Sequence, residues 1–538
     1  MKNNCIKFVL MLLLSAVSLG ASAQNGDSLS RQKVLGDIER FGRAILYINQ
    51  NYIDTLNTSK MVDKAIEDVL SNLDPHSAFI AAKDVESVNE PLDGSFEGIG
   101  IEFAIINDTL TVQSPVQGGP CESVGILAGD KIIAVNDEYI SGPALTNDRV
   151  FGYLRGAAGT KVNLKILRNR VSDTLQFTVV RGKIPLNSVD AAYLPIPQVV
   201  YIKLSRFAMN STSEILKSLM LSKTYPAGVI LDLRGNTGGF LHVALEISNM
   251  FLEKDQMILY TEGQNSPKRE QYAIGNGIYK KGPLVILIDE NSASSSEIVA
   301  GAMQDWDRAV IIGRRSFGKG LVQQMYQMDD GSQIRLTVAR YHTPSGRVIQ
   351  SPYENGRADD YYKSFLERYT KGESFVKDSI HFPDSLKYKT LIKGRTVYGG
   401  GGIMPDIFVP RDTAGITGYY AALIGRGYMT EYINNYCDSH RDSLKRAFPD
   451  FDKFKVNYNI GNQLYNGLLE YASGKGLELN AEQASASERL IKVRIKALVA
   501  RSLFGTTGYY RVINIEDDKE FNKAMEVIIN WSSIFPSL

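Results

Sequence analysis

An apolar residue recurs every three or four positions between residues 30 and 90, and this spacing predicts helices. The clearest series is Val34, Ile38, Phe41, Ile45 and Ile48. Pro75 disfavours helical backbone at Asp74, so this run is expected to end within residues 73–77. Residues 24–92 are therefore predicted to form an N-terminal helical region.

The pattern changes to short strands and glycine turns over residues 93–182. Glycine and isoleucine alternate at Gly98, Ile99, Gly100 and Ile101, where a strand is expected to begin. A short helix, a glycine stop and a buried strand are expected within residues 125–136. Further strands are expected at 110–114, 161–167 and 174–180. This region is predicted to be a β-rich domain.

A larger α/β unit is predicted over residues 183–411. Its continuous apolar strands are expected at 199–207, 228–233, 283–288 and 309–312, with helices at 211–221 and 295–303. Such strands alternating with helices indicate a parallel sheet covered on both faces. Residues 333–341 alternate polar and apolar positions, which suits an outer strand, and 407–409 form a short strand. Residues 352–396 are polar and aromatic and are interpreted as an insertion, while 412–538 are mostly helical.

The first 23 residues have the pattern of an export signal. Lys2 and Lys7 lie before an apolar run that extends to about Leu19, and residues 21–23 (Ala-Ser-Ala) supply the small-x-small site that signal peptidase needs. The run is shorter than the roughly 20 residues needed to span a bilayer, and no later stretch is long and apolar enough. We therefore expect an exported protein, periplasmic or associated with the cell envelope, after cleavage near Ala23.

Composition and charge restrict the possible partners. The chain has 538 residues, of which 44% are hydrophobic and 22% charged, as in ordinary multidomain proteins. Lys and Arg number 60 and Asp and Glu 59, so no overall field favours nucleic acid or an anionic membrane. After signal cleavage only Cys121 and Cys437 remain; free buried thiols are expected, with a single bridge left open.

The strongest chemical segment is residues 291–298, which contains three consecutive serines between a buried strand and a helix. A serine at this turn, such as Ser294, is presented at the carboxyl edge of the sheet, where α/β folds place their sites. The helix N-terminus offers free N–H groups to a developing oxyanion. The alternative is a capping box, in which Ser294 caps the helix and Glu297 bonds back to it.

A second segment, residues 316–320, carries Lys319 directly after the next strand. In a right-handed βαβ unit the ends of neighbouring strands meet, so Lys319 is expected near Ser294. A serine hydroxyl needs a base, and a lysine serves if burial lowers its pKa. A phosphate-binding loop is the alternative, but the stretch lacks the G-x-x-x-x-G-K-[ST] spacing.

A third segment, residues 231–239, ends another parallel strand with Gly238 and Gly239. Paired glycines let the backbone approach a substrate carbonyl and donate N–H groups to it. A plain turn is the alternative interpretation of these glycines.

Together these segments resemble the C-terminal processing peptidases, also called tail-specific proteases, which are PDZ-containing serine peptidases with a Ser/Lys dyad. The resemblance covers about residues 30–410 in the right order, without 352–396 or the tail after 412. It rests on residues 73–77, 98–103, 232–239, 291–298, 302–305, 317–323, 337–341, 343–346 and 405–407. It implies a multidomain α/β fold in which residues 93–182 form a PDZ domain and 183–411 the peptidase core.

The resemblance also implies roles for single residues. Ser294 is similar to the family nucleophile, Lys319 to the general base, and Gln323 to the residue that orients the lysine. The backbone N–H groups of Gly239 and Ser295 resemble the oxyanion hole, with Gly238 as a second candidate. The family usually has alanine after the nucleophile, where this chain has Ser295.

Residues 98–101 resemble a PDZ carboxylate-binding loop, whose N–H groups hold a substrate's C-terminus while the ligand adds a strand to the sheet. The expected partners are therefore proteins or peptides with free, apolar C-termini. A homo-oligomer or an adaptor protein is left open, and an ordinary glycine-containing strand is the alternative for this loop. No cofactor or metal is expected. Asp305 also matches a family position and is interpreted as structural.

Competing functions find less support in the sequence. A Ser-His-Asp hydrolase is disfavoured because only five histidines occur and no G-x-S-x-G elbow surrounds Ser294. No H-E-x-x-H motif points to a metalloprotease. A second serine-rich segment, residues 484–490, lacks both a preceding apolar strand and a following Gly-Lys-Gly, and is interpreted as a helix start. The alternative from a different functional class is a catalytically silent PDZ adaptor that binds protein C-termini.

Overall fold

The computed structural model describes residues 25–537, apart from 107, 117 and 169–170. The expected signal peptide, residues 1–23, lies outside the described residues. Within the described part, no helix has both the length and the apolar character that crossing a membrane requires. The chain divides into one unit that ends at Leu73 and a second that runs from Asp74 to the C-terminus.

The first unit contains two helices, α1 (Asn25–Asn51) and α2 (Thr58–Ser71). Asn57 caps α2, because its side chain accepts the Lys60 N–H at 3.1 Å. The helix ends before Pro75, as the sequence predicts.

The second unit opens with β1 (Ala78–Ile80), α3 (Ala82–Asp93) and β2 (Ser95–Gly98). The region predicted as helical, residues 24–92, also contains β1, a three-residue strand that pairs antiparallel with residues 333–335 and that the sequence pattern did not predict. A strand this short has no periodicity of its own, and a distant pairing holds it in place.

The elements of the β-rich region are β3 (Ile101–Ile106), β4 (Thr109–Pro115), α4 (Pro120–Ser123), β5 (Lys131–Val135), β6 (Glu138–Tyr139), α5 (Asn147–Leu154), β7 (Lys161–Leu167) and β8 (Leu175–Val180). Its strands form one sheet in the order β3-β4-β5-β7-β8, and β6 pairs with β5. The short helix expected within 125–136 lies earlier, at α4, because Gly125 and Gly129 adopt left-handed backbone and form turns. This region has its own core, around Leu110, Ile132 and Val162.

A six-stranded sheet is the centre of the second unit. After β9 (Gly182–Pro185), which pairs with β2, its strands are β10 (Val189–Tyr193), β11 (Val199–Leu204), β12 (Gly228–Asp232), β15 (Leu284–Ile288), β16 (Val310–Gly313) and β21 (Ile407–Phe408). They are ordered β10-β11-β12-β15-β16-β21, and all neighbours are parallel except β10 with β11. Strands β11, β12, β15 and β16 are buried along their whole length, which explains their unbroken apolar sequences.

Helices cover both faces of this sheet, as predicted, and the mixed α/β class is confirmed. One core contains residues of α6 (Ser211–Leu219), α7 (Leu241–Phe251) and α8 (Ser295–Asp305). The other face packs against Phe521, Ala524, Val527 and Ile528 of α17 (Lys519–Ile529). The second layer of the central sheet therefore comes from the C-terminal end of the chain.

A five-stranded sheet lies beside the central one. It contains β1, β13 (Met257–Gly263), β14 (Ser266–Tyr272), β17 (Leu321–Gln327) and β18 (Gln333–His342), and every pairing is antiparallel. The segment interpreted as an insertion contains α9 (Ala358–Thr370) and the hairpin of β19 (Lys387–Lys389) and β20 (Thr396–Tyr398).

The C-terminal region is helical, as predicted. Besides α17 it contains α10 (Gly418–Gly425), α11 (Tyr428–Ser439), α12 (Arg441–Ala447), α13 (Phe451–Asn457), α14 (Asn462–Gly474), α15 (Ala481–Ala486), α16 (Glu488–Glu516) and α18 (Trp531–Ser537). Most of these helices enclose a separate core, and Arg441 donates to the carbonyl oxygen of Ala128 in the β-rich region at 2.6 Å. Cys121 and Cys437 are both buried and free, so the expectation of free thiols is confirmed.

Candidate active site

A cleft of about 540 Å³ opens where β12, β15 and β16 end. Parallel neighbours finish at the same edge of a sheet, so the segments that follow these strands meet there. The structure brings six of the predicted site residues together in the lining: Gly238, Gly239, Ser294, Ser295, Lys319 and Gln323.

Ser294 lies at the start of α8 in an unusual backbone conformation, with φ 54° and ψ −114°. A residue other than glycine in such a region costs about 1–3 kcal/mol, and such residues cluster at active sites. The conformation also resembles the sharp strand-to-helix turn that exposes the serine of α/β hydrolases. In this conformation the Ser294 side chain lies in the lining of the cleft.

The three consecutive serines have different surroundings. Ser295 and Ser296 are buried, and their hydroxyls donate to the carbonyl oxygens of Gly239 at 3.0 Å and Asn236 at 2.8 Å. Ser294 alone is partly exposed. Ser295 and Ser296 thus fasten the start of α8 to residues 236–239, which we call the glycine segment, while Ser294 faces the cleft.

Lys319 is held on the same cleft by a short chain of hydrogen bonds. Its Nζ donates to Gln323 Oε1 at 2.9 Å, and Gln323 Nε2 donates to the carbonyl oxygen of His76 at 2.5 Å. Burial lowers the pKa of Lys319 below its ordinary value, and the positive charge of Arg335 lowers it further, against the opposing effect of Asp74. The lysine therefore loses its proton at lower pH than a solvated amine does.

Glu297 connects the segment that contains Ser294, residues 291–298, with the segment that contains Lys319, residues 316–320. One carboxylate oxygen accepts the N–H of Ser294 at 2.8 Å and the N–H of Lys319 at 2.9 Å. The other accepts the Ser316 hydroxyl at 2.5 Å and the Gly318 N–H at 2.7 Å. Burial raises the pKa of Glu297 to about 7, while these hydrogen bonds favour the ionised form. The capping-box bond to Ser294 is thus one of four that the carboxylate makes.

Tyr341 makes a second connection between the same two segments. Its hydroxyl lies 2.9 Å from the carbonyl oxygen of Lys319 and 3.3 Å from that of Ser294. The side chain is buried, which fixes the position of the hydroxyl. Tyr341 therefore helps to fix the backbone of both Ser294 and Lys319, the two residues of the candidate dyad.

The glycine segment lies directly against the serine turn. A Cβ on Gly238 would be 2.8 Å from Ser294 Cβ and 3.0 Å from the Ser295 nitrogen, and one on Gly239 would overlap the carbonyl oxygen of Phe207. Both glycines also have positive φ, so no other residue fits without strain. The Gly238 N–H donates to Asn236 Oδ1 at 2.9 Å. Of the two glycines, Gly239 is therefore the better candidate donor to a substrate.

His76 also lines the cleft, although sequence reasoning left every histidine outside the site. Burial and the charge of Lys319 lower the pKa of His76 to about 4, so the ring is neutral near pH 7. Its Nε2 is buried without a hydrogen-bond partner among the described residues. The Asp74 carboxylate accepts the backbone N–H of His76 at 2.9 Å.

Asp305 lies in a buried ion pair with Arg347, with 2.7 Å between Oδ1 and Nη2. It also accepts the N–H of Ser345 at 2.9 Å. These contacts suit the structural interpretation of this residue.

The loop at residues 98–101 lies in the β-rich region, on a different sheet from the cleft. The carbonyl oxygens of Ile99 and Gly100 accept the N–H groups of Cys121 and Val116, both at 3.0 Å. In a trans peptide the C=O and N–H point in opposite directions, so the N–H groups of Gly100 and Ile101 point away from these partners. That arrangement suits a carboxylate-binding loop.

Beside this loop, β3 is an edge strand that pairs with β4 in the described sheet. Phe103 of β3 meets Phe151 of α5 edge to face, with ring centroids 5.5 Å apart. Ile99 is 2% exposed and packs into the core of this region, so its side chain does not line an apolar ligand pocket. Ile101 and Phe103, which are half-buried, remain the candidates for that contact.

Sequence reasoning missed the roles of Glu297, Tyr341 and His76. Glu297 was recognised only as half of a capping box, and its bonds to the lysine segment arise from tertiary contact. Tyr341 and His76 lie in the segments 337–341 and 73–77, whose resemblance to a peptidase family was the only available signal.

Comparison with known proteins gives matches in three parts of the chain. The model of Peptidase family S41 matches residues 198–361, a PDZ domain model matches 98–181, and a family of unknown function matches 419–505. The six cleft residues lie inside the first match.

Several relatives align over most of their own lengths, as two examples illustrate. A carboxy-terminal-processing protease of Bartonella bacilliformis is 36% identical over 352 residues, which are 64% of this chain and 80% of that protein. A probable CtpA-like serine protease of Staphylococcus epidermidis is 33% identical over 445 residues, 80% of this chain and 82% of that protein. Among solved structures, a photosystem II D1 C-terminal processing protease is 24% identical and covers 70% of this chain and 93% of its own, with a TM-score of 0.35.

Proposed function

The chain belongs to the carboxy-terminal processing proteases of peptidase family S41, and on that premise we propose that it is a serine endopeptidase that cuts with Ser294 and Lys319. One observation carries the proposal. The strained, partly exposed Ser294 shares a cleft with a lysine whose pKa burial lowers. A silent binding protein has no need for either feature.

In the proposed reaction the neutral amine of Lys319 takes the proton of Ser294 Oγ while the oxygen attacks the peptide carbonyl carbon. A neutral amine has two hydrogens and one lone pair, and its bond to Gln323 Oε1 leaves the lone pair for the serine. The ammonium then gives its proton to the leaving amine, and an acyl-enzyme remains on Ser294. Water attacks the ester carbonyl carbon and passes a proton to Lys319, which gives it to Ser294 Oγ as the acyl–oxygen bond breaks, so the carboxylic acid product leaves and both the serine and the neutral amine are restored.

The oxyanion of each tetrahedral intermediate accepts hydrogen bonds from the N–H groups of Gly239 and Ser295 in this scheme. The Ser295 hydroxyl, which bonds to the Gly239 carbonyl oxygen, holds the two donors in register. A donor of this kind typically contributes about 10²–10³ in kcat.

The PDZ domain supplies substrate selection in this proposal. Substrates are exported proteins whose C-termini bind at Gly98, Ile99, Gly100 and Ile101 and extend along the free edge of β3. Export follows from the signal expected at residues 1–23, with a periplasmic or envelope location.

Turnover of an unstructured protein by the purified full chain tests the function. Wild type is expected to degrade it, and Ser294→Ala to leave it intact while still binding peptides that end in a free carboxylate. If wild type binds such peptides without cutting any unfolded protein, the chain is a PDZ adaptor and the proposal is wrong.

A further inference from the structure

A second, smaller cavity of about 180 Å³ lies next to the candidate active site, and four arginines line it: Arg314, Arg315, Arg368 and Arg411. Asn291 lines both cavities, so the two are neighbours. The volume equals that of about six water molecules in the liquid. It is small for a peptide and adequate for a compact ion.

Positive charge exceeds negative charge around this arginine pocket. Arg314 and Arg411 share the carboxylate of Glu290, at 2.7 and 3.1 Å. Arg315 and Arg368 share Glu373, each at 3.0 Å. Arg314 also pairs with a third glutamate, Glu520, so the four guanidinium groups share three carboxylates.

Burial makes this imbalance costly. The side chains of Arg314, Arg315 and Arg368 are 9%, 12% and 14% exposed, so solvent screens their charges poorly. Burial and the neighbouring charge of Arg368 lower the pKa of Arg315 to about 10. An anion in the cavity would relieve this repulsion.

The pocket also has a rigid wall and an open side. Arg368 donates to the carbonyl oxygens of Ser316 at 3.0 Å and Phe317 at 3.2 Å, which fixes its guanidinium against the segment before Lys319. Arg411 is 46% exposed and lies over the ring of Tyr369, so it borders the entrance.

We propose that this arginine pocket binds a small oxyanion, a carboxylate or a phosphate. Guanidinium groups match the planar oxygens of both through charge-assisted hydrogen bonds. The carboxylate would come from a peptide that reaches past Asn291 from the cleft, and the phosphate from solution. The inference does not depend on proteolysis, because it concerns binding alone.

Calorimetric titration of the full-length Ser294→Ala protein tests the proposal without cleavage of the probes. The probes are sodium phosphate and N-acetylglycine, with sodium chloride of equal ionic strength and N-acetylglycinamide as uncharged counterpart. We expect saturable binding of at least one of the two oxyanions. Binding of phosphate alone identifies the free ion as ligand, and binding of N-acetylglycine alone identifies a peptide carboxylate.

Variants separate this pocket from the PDZ loop, which also takes a carboxylate. Arg411→Gln is expected to weaken oxyanion binding about tenfold or more, Arg411→Lys to retain part of it, and Arg426→Gln, at an exposed arginine elsewhere, to leave it unchanged. Unaltered thermal unfolding of Arg411→Gln verifies its fold. Absence of saturable binding for both anions, or full binding by Arg411→Gln, overturns the proposal.

Discussion

The carboxylate of Glu297 accepts the backbone N–H of Lys319 at 2.9 Å, although 22 positions separate the two residues in the chain. The same oxygen accepts the Ser294 N–H at 2.8 Å. A single buried side chain on the first turn of α8 therefore sets the relative position of the proposed nucleophile and base.

Glu297→Gln is expected to reduce kcat by at least about 100-fold. The amide replaces one acceptor oxygen with a donor that faces backbone N–H groups or the Ser316 hydroxyl, and each unsatisfied buried group costs about 1–3 kcal/mol. Steady-state kinetics and thermal unfolding of the purified variant measure the two effects. Glu246→Gln, at an exposed position of α7, is the matched control and should behave as wild type. Near-normal kcat in Glu297→Gln would show that the carboxylate does not position the dyad.

Substitution of each consecutive serine is expected to give a graded result. Ser294→Ala should abolish cleavage, because it removes the proposed nucleophile. Ser295→Ala should cost up to about tenfold in kcat, since it keeps the N–H donor but loses a hydroxyl bond to Gly239 of about 1 kcal/mol. Ser296→Ala loses the bond to Asn236 and should lower mainly the thermal stability. Cleavage by Ser294→Ala together with loss of activity in either of the others would place the nucleophile elsewhere.

The pH dependence distinguishes a lysine base from a histidine base. Below the pKa of Lys319 the neutral fraction rises about tenfold per pH unit, so kcat/KM should climb with pH through the neutral range until it passes the lowered pKa. If His76, with its pKa of about 4, were the base, activity would already be constant above about pH 5. A profile from pH 5 to 10 decides between them, and His76→Asn should keep the shape of the wild-type curve.

Gln323→Ala is expected to lower kcat by about tenfold to a hundredfold with little effect on KM. The substitution removes the acceptor of the Lys319 ammonium and leaves the lysine free to turn away from Ser294. Gln323→Glu should act differently, since a carboxylate beside the amine raises the lysine pKa and shifts the pH profile upward. An unchanged profile in Gln323→Glu would contradict the proposed role of this residue.

Amidation of a substrate's C-terminus is expected to reduce cleavage by about tenfold to a hundredfold. A terminal carboxylate held by backbone N–H groups is a charge-assisted contact worth roughly 1.5–3 kcal/mol. Matched acid and amide forms of one unfolded polypeptide measure the effect through kcat/KM. Apolar final residues should be preferred because Ile101 and Phe103 lie beside the loop. Equal rates for both forms would indicate that the PDZ domain serves an adaptor instead.

Local pattern alone predicted much of the central sheet. Unbroken apolar sequences at β12, β15 and β16 indicated parallel strands buried on both faces, and the observed strands match them. Because parallel strands end at one edge, the positions of Ser294 and Lys319 after two of them were enough to predict a shared cleft. The strand β1 was missed because three residues carry too little pattern to compete with the helical series around them.

Tertiary structure alone decided how the site is held and covered. The four bonds of Glu297, the bridge made by Tyr341 and the contact of His76 with Gln323 join residues from separate segments, and no local spacing encodes them. The helix α17 has an ordinary amphipathic sequence that does not name its partner. It covers the second face of the central sheet because the apolar surface there is complementary to Phe521 and Ile528. Sequence patterns thus determined the elements and their order, whereas long-range packing and buried hydrogen bonds determined which side chains meet.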